Sequence, residues 1–297
     1  MKVEQKCGII SRTMLNDAAI SLTLEAGDMV RTAFRAPGQF VHIKCGHSRL
    51  LRRPISVCSC QAGEGDAPDR LTVVFEVRGE GTAWLAGRRE GQSLDVMGLL
   101  GNGFPMEREG RYLLVGGGIG VPPMLGCAQY APGRCTAILG FRSGDRVMLE
   151  EQFRSVCSQV QVATDDGSYG RSGMVTKVIE DLVTKEGKTY DHCVAIGPMI
   201  MMKFCCLTTK KFNIPTVVSM NPIMVDGTGM CGACRVIVGD EVKFACVDGP
   251  EFDGHKIDFD GAMKRQTLYK TEEGKALLRL REGDTHHGGC GNCGGDK

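Results

Sequence analysis

The sequence predicts an α+β protein of several domains, because its texture changes twice along the chain. Short β-like runs fill the part before Arg111, and strand-like segments alternate with helix-compatible ones from there to Pro215. A stretch rich in glycine and cysteine follows. A length of 297 residues suits two domains or a little more. We therefore expect an antiparallel β-domain, an α/β domain with a parallel sheet, and a small C-terminal domain.

The N-terminal part predicts a barrel or a sandwich. Apolar or alternating runs such as Phe40–Ile43 and Leu71–Val77 are separated by Gly, Pro and Asp as far as about Phe104. Many short strands with turn signals between them are typical of these two architectures.

A strand, a glycine turn and a helix are predicted after Arg111. The apolar run Tyr112–Val115 leads into Gly116–Gly120 and then into Pro122 and Pro123. Proline suits the first turn of a helix, where its missing N–H is no loss. Further strand-like runs are Thr136–Phe141, Val160–Thr164 and Cys193–Ile196. Strands that alternate with helices predict a parallel sheet.

The glycine run also predicts an anion site, because its backbone can approach a ligand and the helix N–H groups point toward it. It departs from the Gly-x-Gly-x-x-Gly pattern, since Val121 stands where the third glycine is expected, and a plain tight turn is the alternative. The runs Thr164–Ser168 and Gly197–Met199 follow other strands. They lie where strand ends of an α/β sheet meet a ligand.

Charge and composition argue against several classes of partner. The chain has 36 Lys and Arg against 35 Asp and Glu, and no long basic run predicts a nucleic-acid or membrane surface. No apolar run approaches the roughly 20 residues that cross a bilayer, and polar residues interrupt Met1–Ile10. We therefore expect a cytoplasmic protein. Its fifteen cysteines, an odd number, predict free thiols and a metal site, not a disulfide framework.

The most informative motif is Asp226-Gly-Thr-Gly-Met-Cys231-Gly-Ala-Cys234, followed by Cys246. Four, two and eleven residues separate these potential ligands, which is the spacing of a plant-type 2Fe-2S site with Asp in the first position. Asp also forms local hydrogen bonds in Gly-rich turns, but Asp226 occupies the vacant ligand position and is our first choice. A carboxylate is a harder ligand than thiolate, so we expect an altered potential.

A structural zinc ion is the main competitor, because two Cys separated by two residues with a third one later also suit zinc. The four-residue offset and the glycines at 227, 229 and 232 favour iron and sulfide. Such glycines permit positive φ values and leave N–H groups for cluster sulfur. Buried thiols without a metal are the third interpretation.

Several motifs occur in the order seen in the ferredoxin-NADP reductase superfamily. They are Arg53-Pro-Ile-Ser56, Gly79-Glu-Gly81-Thr82, Gly101-Asn-Gly-Phe104, Gly116–Met124, Leu139-Gly-Phe-Arg-Ser143 and Gly197-Pro198. With the cysteine loop behind them, the chain resembles the branch of the dihydroorotate dehydrogenase electron-transfer subunit and of the small subunit of NADH-dependent ferredoxin:NADP oxidoreductase. The runs Met220–Asp226 and Cys246–Gly254 resemble the second of these most closely, and Asp226 favours its electron-bifurcating type, since Cys is expected there in the dihydroorotate relatives.

This resemblance implies four ranges: an FAD-binding β-barrel over 1–106, an NAD(P)-binding α/β domain over 107–215, a 2Fe-2S domain over 216–262 and a C-terminal extension over 263–297. Cys290 and Cys293 lie in the extension, which is either a tail or an extra metal or redox site.

The resemblance also implies the site residues. FAD would contact Arg53, Pro54, Ile55, Ser56, Gly79, Gly81 and Thr82. The nicotinamide nucleotide would contact Gly117, Gly118, Ile119, Gly120, Arg142, Asp166, Gly197, Pro198 and Met199. The cluster would be held by Asp226, Cys231, Cys234 and Cys246. Ile196 stands where many of these reductases have Cys beside the nicotinamide, so we expect no catalytic side chain.

The function implied is that of an oxidoreductase subunit which passes electrons between NAD(H), FAD and a 2Fe-2S cluster to a larger iron-sulfur flavoprotein linked to ferredoxin and NADP(H). A flavin is needed because hydride carries two electrons and the cluster accepts one. NAD(H) is favoured over NADP(H), although Arg142 could meet a 2′-phosphate. The alternatives are a dihydroorotate dehydrogenase subunit, a module of a hydrogenase-type complex, a stand-alone reductase and a non-catalytic iron-sulfur module.

Overall fold

The computed structural model describes residues 4–46 and 51–282. Its strands are β1 (Glu4–Met14), β2 (Ala19–Glu25), β3 (Phe40–Lys44), β4 (Arg53–Gln61), β5 (Arg70–Glu76), β6 (Ser93–Leu100), β7 (Tyr112–Gly117), β8 (Cys135–Phe141), β9 (Gln159–Thr164), β10 (Arg171–Ser172), β11 (His192–Ile196), β12 (Thr216–Ser219), β13 (Arg235–Val238), β14 (Glu241–Phe244) and β15 (Glu251–Asp253). Its helices are α1 (Met29–Ala33), α2 (Glu80–Ala86), α3 (Val121–Tyr130), α4 (Glu150–Val156), α5 (Val175–Thr184), α6 (Met199–Lys211), α7 (Phe259–Gln266) and α8 (Lys270–Glu282).

The first six strands close into an antiparallel barrel in the order β1-β2-β5-β4-β3-β6. Alternate residues of each strand point inward, so that Leu22, Val41, Ile43 and Val73 are fully buried in the barrel core. In β3 the outward-facing residues are buried as well, because the C-terminal part of the chain covers this side of the barrel.

The second sheet has the order β10-β9-β8-β7-β11-β12-β15, and its strands from β10 to β12 run parallel. The chain leaves β7 through α3 to reach β8 on one side, and later returns to place β11 on the other side of β7. The strand order therefore reverses between β7 and β11, which is where a crevice opens at the carboxyl ends of such a sheet. Pro122 and Pro123 lie in the first turn of α3, as predicted.

The C-terminal region contains the β13–β14 hairpin, the loop before it, β15, which pairs antiparallel with β12, and the helices α7 and α8. Cys234 and Cys246 belong to the same buried apolar cluster as Phe40 of the barrel and Leu113 of the parallel sheet. One continuous core therefore joins the barrel, the sheet and the cysteine loop.

The predicted fold class is confirmed: a six-stranded antiparallel barrel, a parallel α/β sheet and a small C-terminal region that carries the cysteine loop follow one another. The four domain ranges stay predictions. Cys290 and Cys293 lie outside the described residues. Among residues 4–46 and 51–282, every helix is too short or too polar to span a lipid bilayer.

Candidate functional site

Strand β4 brings Arg53 against the first turn of α2. A Cβ atom at Gly81 would lie 2.4 Å from Arg53 Nε and 2.8 Å from Nη2, so the guanidinium group packs directly on the Gly81 backbone. Arg53 also donates a hydrogen bond to the Leu51 carbonyl oxygen. This places a forked cationic donor beside the N–H groups of a helix start, an arrangement suited to phosphate oxygens.

Thr82 fixes the turn that leads into α2. Its hydroxyl accepts hydrogen bonds from the N–H groups of Arg78 at 2.8 Å and Gly79 at 3.2 Å. Pro54 is exposed and Ser56 is half-buried, whereas Ile55 points into the barrel core. The structure therefore brings Arg53, Gly81 and Thr82 together, and it leaves Pro54 and Ser56 on the outer face of the barrel, where a flat ligand could lie against them.

The glycine turn after β7 meets the end of β11. A Cβ atom at Gly120 would lie 2.3 Å from the Ile196 carbonyl oxygen, and one at Gly197 would lie 3.2 Å from Gly117 Cα. Gly118 has a φ of +53°, which non-glycine residues rarely adopt. These glycines thus let two backbone segments approach each other at the point where the strand order reverses, the usual ligand position in open α/β sheets.

Met201, which the sequence analysis missed, lies over these glycines. A Cβ atom at Gly117 would be 2.4 Å from Met201 Sδ, and one at Gly197 would be 2.7 Å from its Cε atom. Met199 is instead 3% exposed, and its side chain packs in the core. Met199 can therefore offer a ligand little besides its backbone, whereas Met201 lines the crevice.

Arg142 and Asp166 follow β8 and β9 at the same edge of the sheet. The N–H group of Asp166 donates to the Arg142 carbonyl oxygen at 3.2 Å, so the two turns are neighbours, and both side chains are exposed. Hydrogen bonds from the Ser168 hydroxyl at 2.6 Å and backbone N–H at 2.9 Å lower the pKa of Asp166. Its carboxylate is therefore held ionised within its own turn.

The loop 226–234 is shaped by glycine. Gly227, Gly229 and Gly232 have φ values of +70°, +86° and +65°. Asp226 Oδ1 accepts a hydrogen bond from Thr228 N at 2.6 Å, and Oδ2 accepts one from Cys231 N at 2.9 Å. Partial burial opposes ionisation of Asp226, but these two N–H donors outweigh it and lower the pKa of the carboxyl. Each carboxylate oxygen keeps a further lone pair for a metal ion.

The four predicted ligands fall into two pairs. Asp226 touches the backbone of Cys231, while Cys246 N donates to Cys234 Sγ at 3.5 Å. Cys234 and Cys246 are each 1% exposed, and Cys231 is exposed. Within the described part of the chain, no three His, Cys, Asp or Glu side chains converge on one point as a single metal ion requires. A 2Fe-2S cluster makes a different demand, since each of its two irons takes two protein ligands.

Two buried polar residues join the three parts of the molecule. His42 is fully buried on the outer face of β3, where a Cβ atom at Gly227 would lie 3.1 Å from its Cε1 atom. Glu251 Oε2 accepts a hydrogen bond from Gly103 N at 3.0 Å, and a Cβ atom at Gly38 would lie 2.8 Å from Oε1. Burial raises the pKa of Glu251 to about 8. The sequence pattern singled out neither contact.

A cavity of about 660 Å³ lies away from all these residues. It is lined at the amino ends of the parallel strands by residues that include Tyr112, His192 and Thr216. Because ligands of open α/β sheets bind at the carboxyl ends, this cavity is no part of the candidate site.

Known proteins resemble this chain over most of its length. Residues 221–258 match the family model described as the iron-sulfur cluster binding domain of dihydroorotate dehydrogenase B. The electron transfer subunit of dihydroorotate dehydrogenase B (NAD(+)) from Geobacillus kaustophilus is 38% identical over 264 residues, which cover 85% of this chain and 98% of that protein. The chain belongs to the family of these electron transfer subunits and their homologues. The predicted resemblance is thereby confirmed, and residues 221–258 form an iron-sulfur cluster binding domain.

Other members of the family are more similar in sequence. A homolog of this electron transfer subunit from Thermotoga maritima is 44% identical, covering 80% of this chain and 83% of its own. An uncharacterised protein from Clostridium beijerinckii is 45% identical, covering 97% and 99%. Among solved structures, a chain of NADH-dependent reduced ferredoxin-NADP oxidoreductase superposes with a TM-score of 0.82 at 37% identity, covering 93% of this chain and 98% of that one. Phthalate dioxygenase reductase, at 16% identity and a TM-score of 0.55, shares the fold alone.

Proposed function

We propose that this chain carries electrons between NAD(H), FAD and a 2Fe-2S cluster and passes them to a larger iron-sulfur flavoprotein partner. Its similarity to a chain of NADH-dependent reduced ferredoxin-NADP oxidoreductase supports this proposal. The observation that carries the proposal is the packing of the cysteine loop on the barrel strand next to the Arg53–Ser56 strand. Sites suited to a flavin and to a cluster thereby lie side by side in one chain. The ranges 1–106, 107–215, 216–262 and 263–297 are proposed as its domains.

The residues present fit FAD. Arg53 would bind the pyrophosphate through its fork of donors, with Gly81 providing the close approach and Thr82 holding the turn. Pro54 and Ser56 would lie along the isoalloxazine, with Ser56 offering a hydroxyl to its edge, and Ile55, whose side chain points into the barrel, would contribute its backbone. When bound, a flavin accepts two electrons together as hydride and can release them singly.

The nucleotide would bind at the reversal point between β7 and β11. Gly117, Gly118, Ile119 and Gly120 would present backbone N–H groups to its phosphates, and Gly197 with Pro198 would border the nicotinamide. These residues would orient the nucleotide and exclude water. No side chain is needed as acid, base or nucleophile, because hydride transfer depends on holding the two rings at reacting distance.

The cluster would be held by Asp226 and Cys231 on one iron and by Cys234 and Cys246 on the other, as their pairing supports. A carboxylate in the first position is a harder ligand, and it favours the oxidoreductase type of partner. A second candidate is the dihydroorotate type of electron-transfer subunit, because relatives with that description are 38% identical over nearly their full length.

Co-purification from native extract tests this proposal. We expect a larger flavoprotein to accompany the chain, with flavin, iron and sulfide bound to both, and with ferredoxin- and NADP(H)-linked activity. A partner that oxidises dihydroorotate would favour the second candidate. A lone chain that reduces soluble acceptors at full rate, or that binds iron but no flavin, would overturn the proposal.

A further inference from the structure

His42 lies between the barrel strand proposed to hold FAD and the cysteine loop. The residues paired across β3 and β4 are Phe40 with Ser56 and His42 with Pro54. Side chains of directly paired residues point to the same face of a sheet. The outer face therefore carries Pro54 and Ser56 of the proposed flavin strand immediately beside Phe40 and His42.

The cysteine loop covers this part of the face. A Cβ atom at Gly227 would lie 3.1 Å from His42 Cε1, 3.3 Å from Nδ1 and 3.3 Å from Leu100 Cδ1. Gly227 follows Asp226 directly, and its φ of +70° lies in the left-handed region that favours glycine. The imidazole ring thus sets how closely the backbone beside the first proposed iron ligand approaches the barrel.

The residue type is unusual for this place. An outward-facing residue of a barrel strand is normally polar and exposed, or apolar if covered. His42 is polar and 0% exposed, and its ring lies 5.6 Å from the Phe40 ring at a tilt of 53°. The ring therefore lies wholly within the interface between the barrel and the cysteine loop, out of contact with solvent.

We propose that His42 is a positioning residue that fixes the cysteine loop against strand β4 and so sets the rate of electron transfer between the two cofactors. This inference rests on the proposed function and names a residue that the family motifs do not contain. His42 acts through Gly227 on the loop, and it takes up neither hydride nor electron itself. It would hold in place the contact across which both electrons of a hydride pass, one at a time, between the two bound cofactors.

The test uses the full chain purified anaerobically with its cofactors. His42→Phe replaces the imidazole by a larger six-membered ring without nitrogen, which should push the Gly227 backbone away. His42→Asn adds no volume and keeps a polar group near the position of Nδ1. His192→Phe is the matched control, because His192 is an exposed histidine at the start of β11. Rapid mixing with NADH gives separate rates for flavin bleaching and cluster reduction, and electron spin resonance reports the surroundings of the reduced cluster.

We expect His42→Phe to slow cluster reduction roughly tenfold or more and to change the resonance spectrum, because a small displacement in a reacting pair has such an effect. Flavin bleaching should keep its parent rate, His42→Asn should recover most of the loss, and His192→Phe should match the parent. Parent-like cluster reduction and spectrum in His42→Phe would overturn the assignment of His42 alone. A parent protein without flavin or without cluster would overturn the proposed function and this inference together.

Discussion

The guanidinium group of Arg53 rests on the backbone of Gly81, where a Cβ atom would lie 2.4 Å from Arg53 Nε. We predict that Gly81→Ala displaces this group and weakens FAD binding at least about tenfold, or ~1.4 kcal/mol. Arg53→Lys should also weaken it, because an ammonium group lacks the fork of donors. Fluorescence titration of the stripped protein with FAD measures both effects.

The control for Gly81→Ala is Gly274→Ala in α8, where an added methyl group meets open space. It should bind FAD like the parent. Parent-like FAD affinity in Gly81→Ala would show that Arg53 and Gly81 do not hold the flavin.

Asp226 is predicted to bind iron besides shaping its turn. Asp226→Asn keeps the acceptor for the N–H of Thr228 and loses the one for the N–H of Cys231, so the loop should fold with one hydrogen bond fewer and without the carboxylate. We expect a changed electron spin resonance spectrum and reduced iron content in Asp226→Asn, with the melting temperature within a few degrees of the parent. Asp226→Ala should lose both turn and ligand.

Asp226→Cys is the matched variant, because it supplies the thiolate of the ordinary four-cysteine site. It should retain a cluster with a spectrum different from that of the parent. An unchanged spectrum in Asp226→Asn or in Asp226→Ala would remove the residue from the ligand set and leave it a turn residue.

The glycine turn offers a comparison within one segment. A methyl group at Gly120 would meet the backbone carbonyl of Ile196 at 2.3 Å, whereas one at Gly117 would meet the flexible end of Met201. We expect Gly120→Ala to weaken NADH binding more than tenfold, because two backbone segments must move apart. Gly117→Ala should have a smaller effect, since the thioether can rotate. NADH titration measures both affinities, and an affinity of Gly120→Ala equal to that of the parent would contradict a nucleotide site at this turn.

Glu251 predicts a pH dependence of stability. Burial raises its pKa to about 8 from 4.5, so the folded state keeps a proton that the unfolded state loses first. Its contribution is complete below about pH 4.5 and is lost as the pH rises to about 8. The free energy of unfolding should therefore fall over this range, with a slope from this group of at most about 1.4 kcal/mol per pH unit.

Glu251→Gln removes this titration and keeps an acceptor for Gly103 N–H. Urea unfolding at several pH values should show a flatter profile for Glu251→Gln than for the parent. Glu109→Gln, at an exposed site, should keep the parent profile. A Glu251→Gln profile parallel to that of the parent would show that Glu251 is ionised in the folded protein.

Local patterns predicted much of the fold. The runs Phe40–Ile43 and Tyr112–Val115 lie within strands, and Pro122 lies in the first turn of α3, because burial periodicity and proline chemistry act over a few residues. The pairing of β15 with β12 was not predicted, since β15 has three residues and its partner is distant in sequence.

Local patterns likewise predicted one part of the candidate site and missed another. The spacing of Asp226 and the cysteines is a local signal, and the positive φ of Gly227 agrees with it. His42 and Met201 carry no spacing signal, because each acquires its meaning from a backbone segment that folding brings near it. Only the three-dimensional contact distinguishes His42 from an ordinary strand histidine.

The central claim is that one polypeptide holds a two-electron carrier and a one-electron carrier in contact. The most direct test is anaerobic purification of the full chain, quantification of flavin, iron and sulfide, and addition of NADH. We expect about one flavin, two irons and two sulfides per chain, and bleaching of the visible absorbance on adding NADH. A colourless protein with bound zinc and no response to NADH would contradict it.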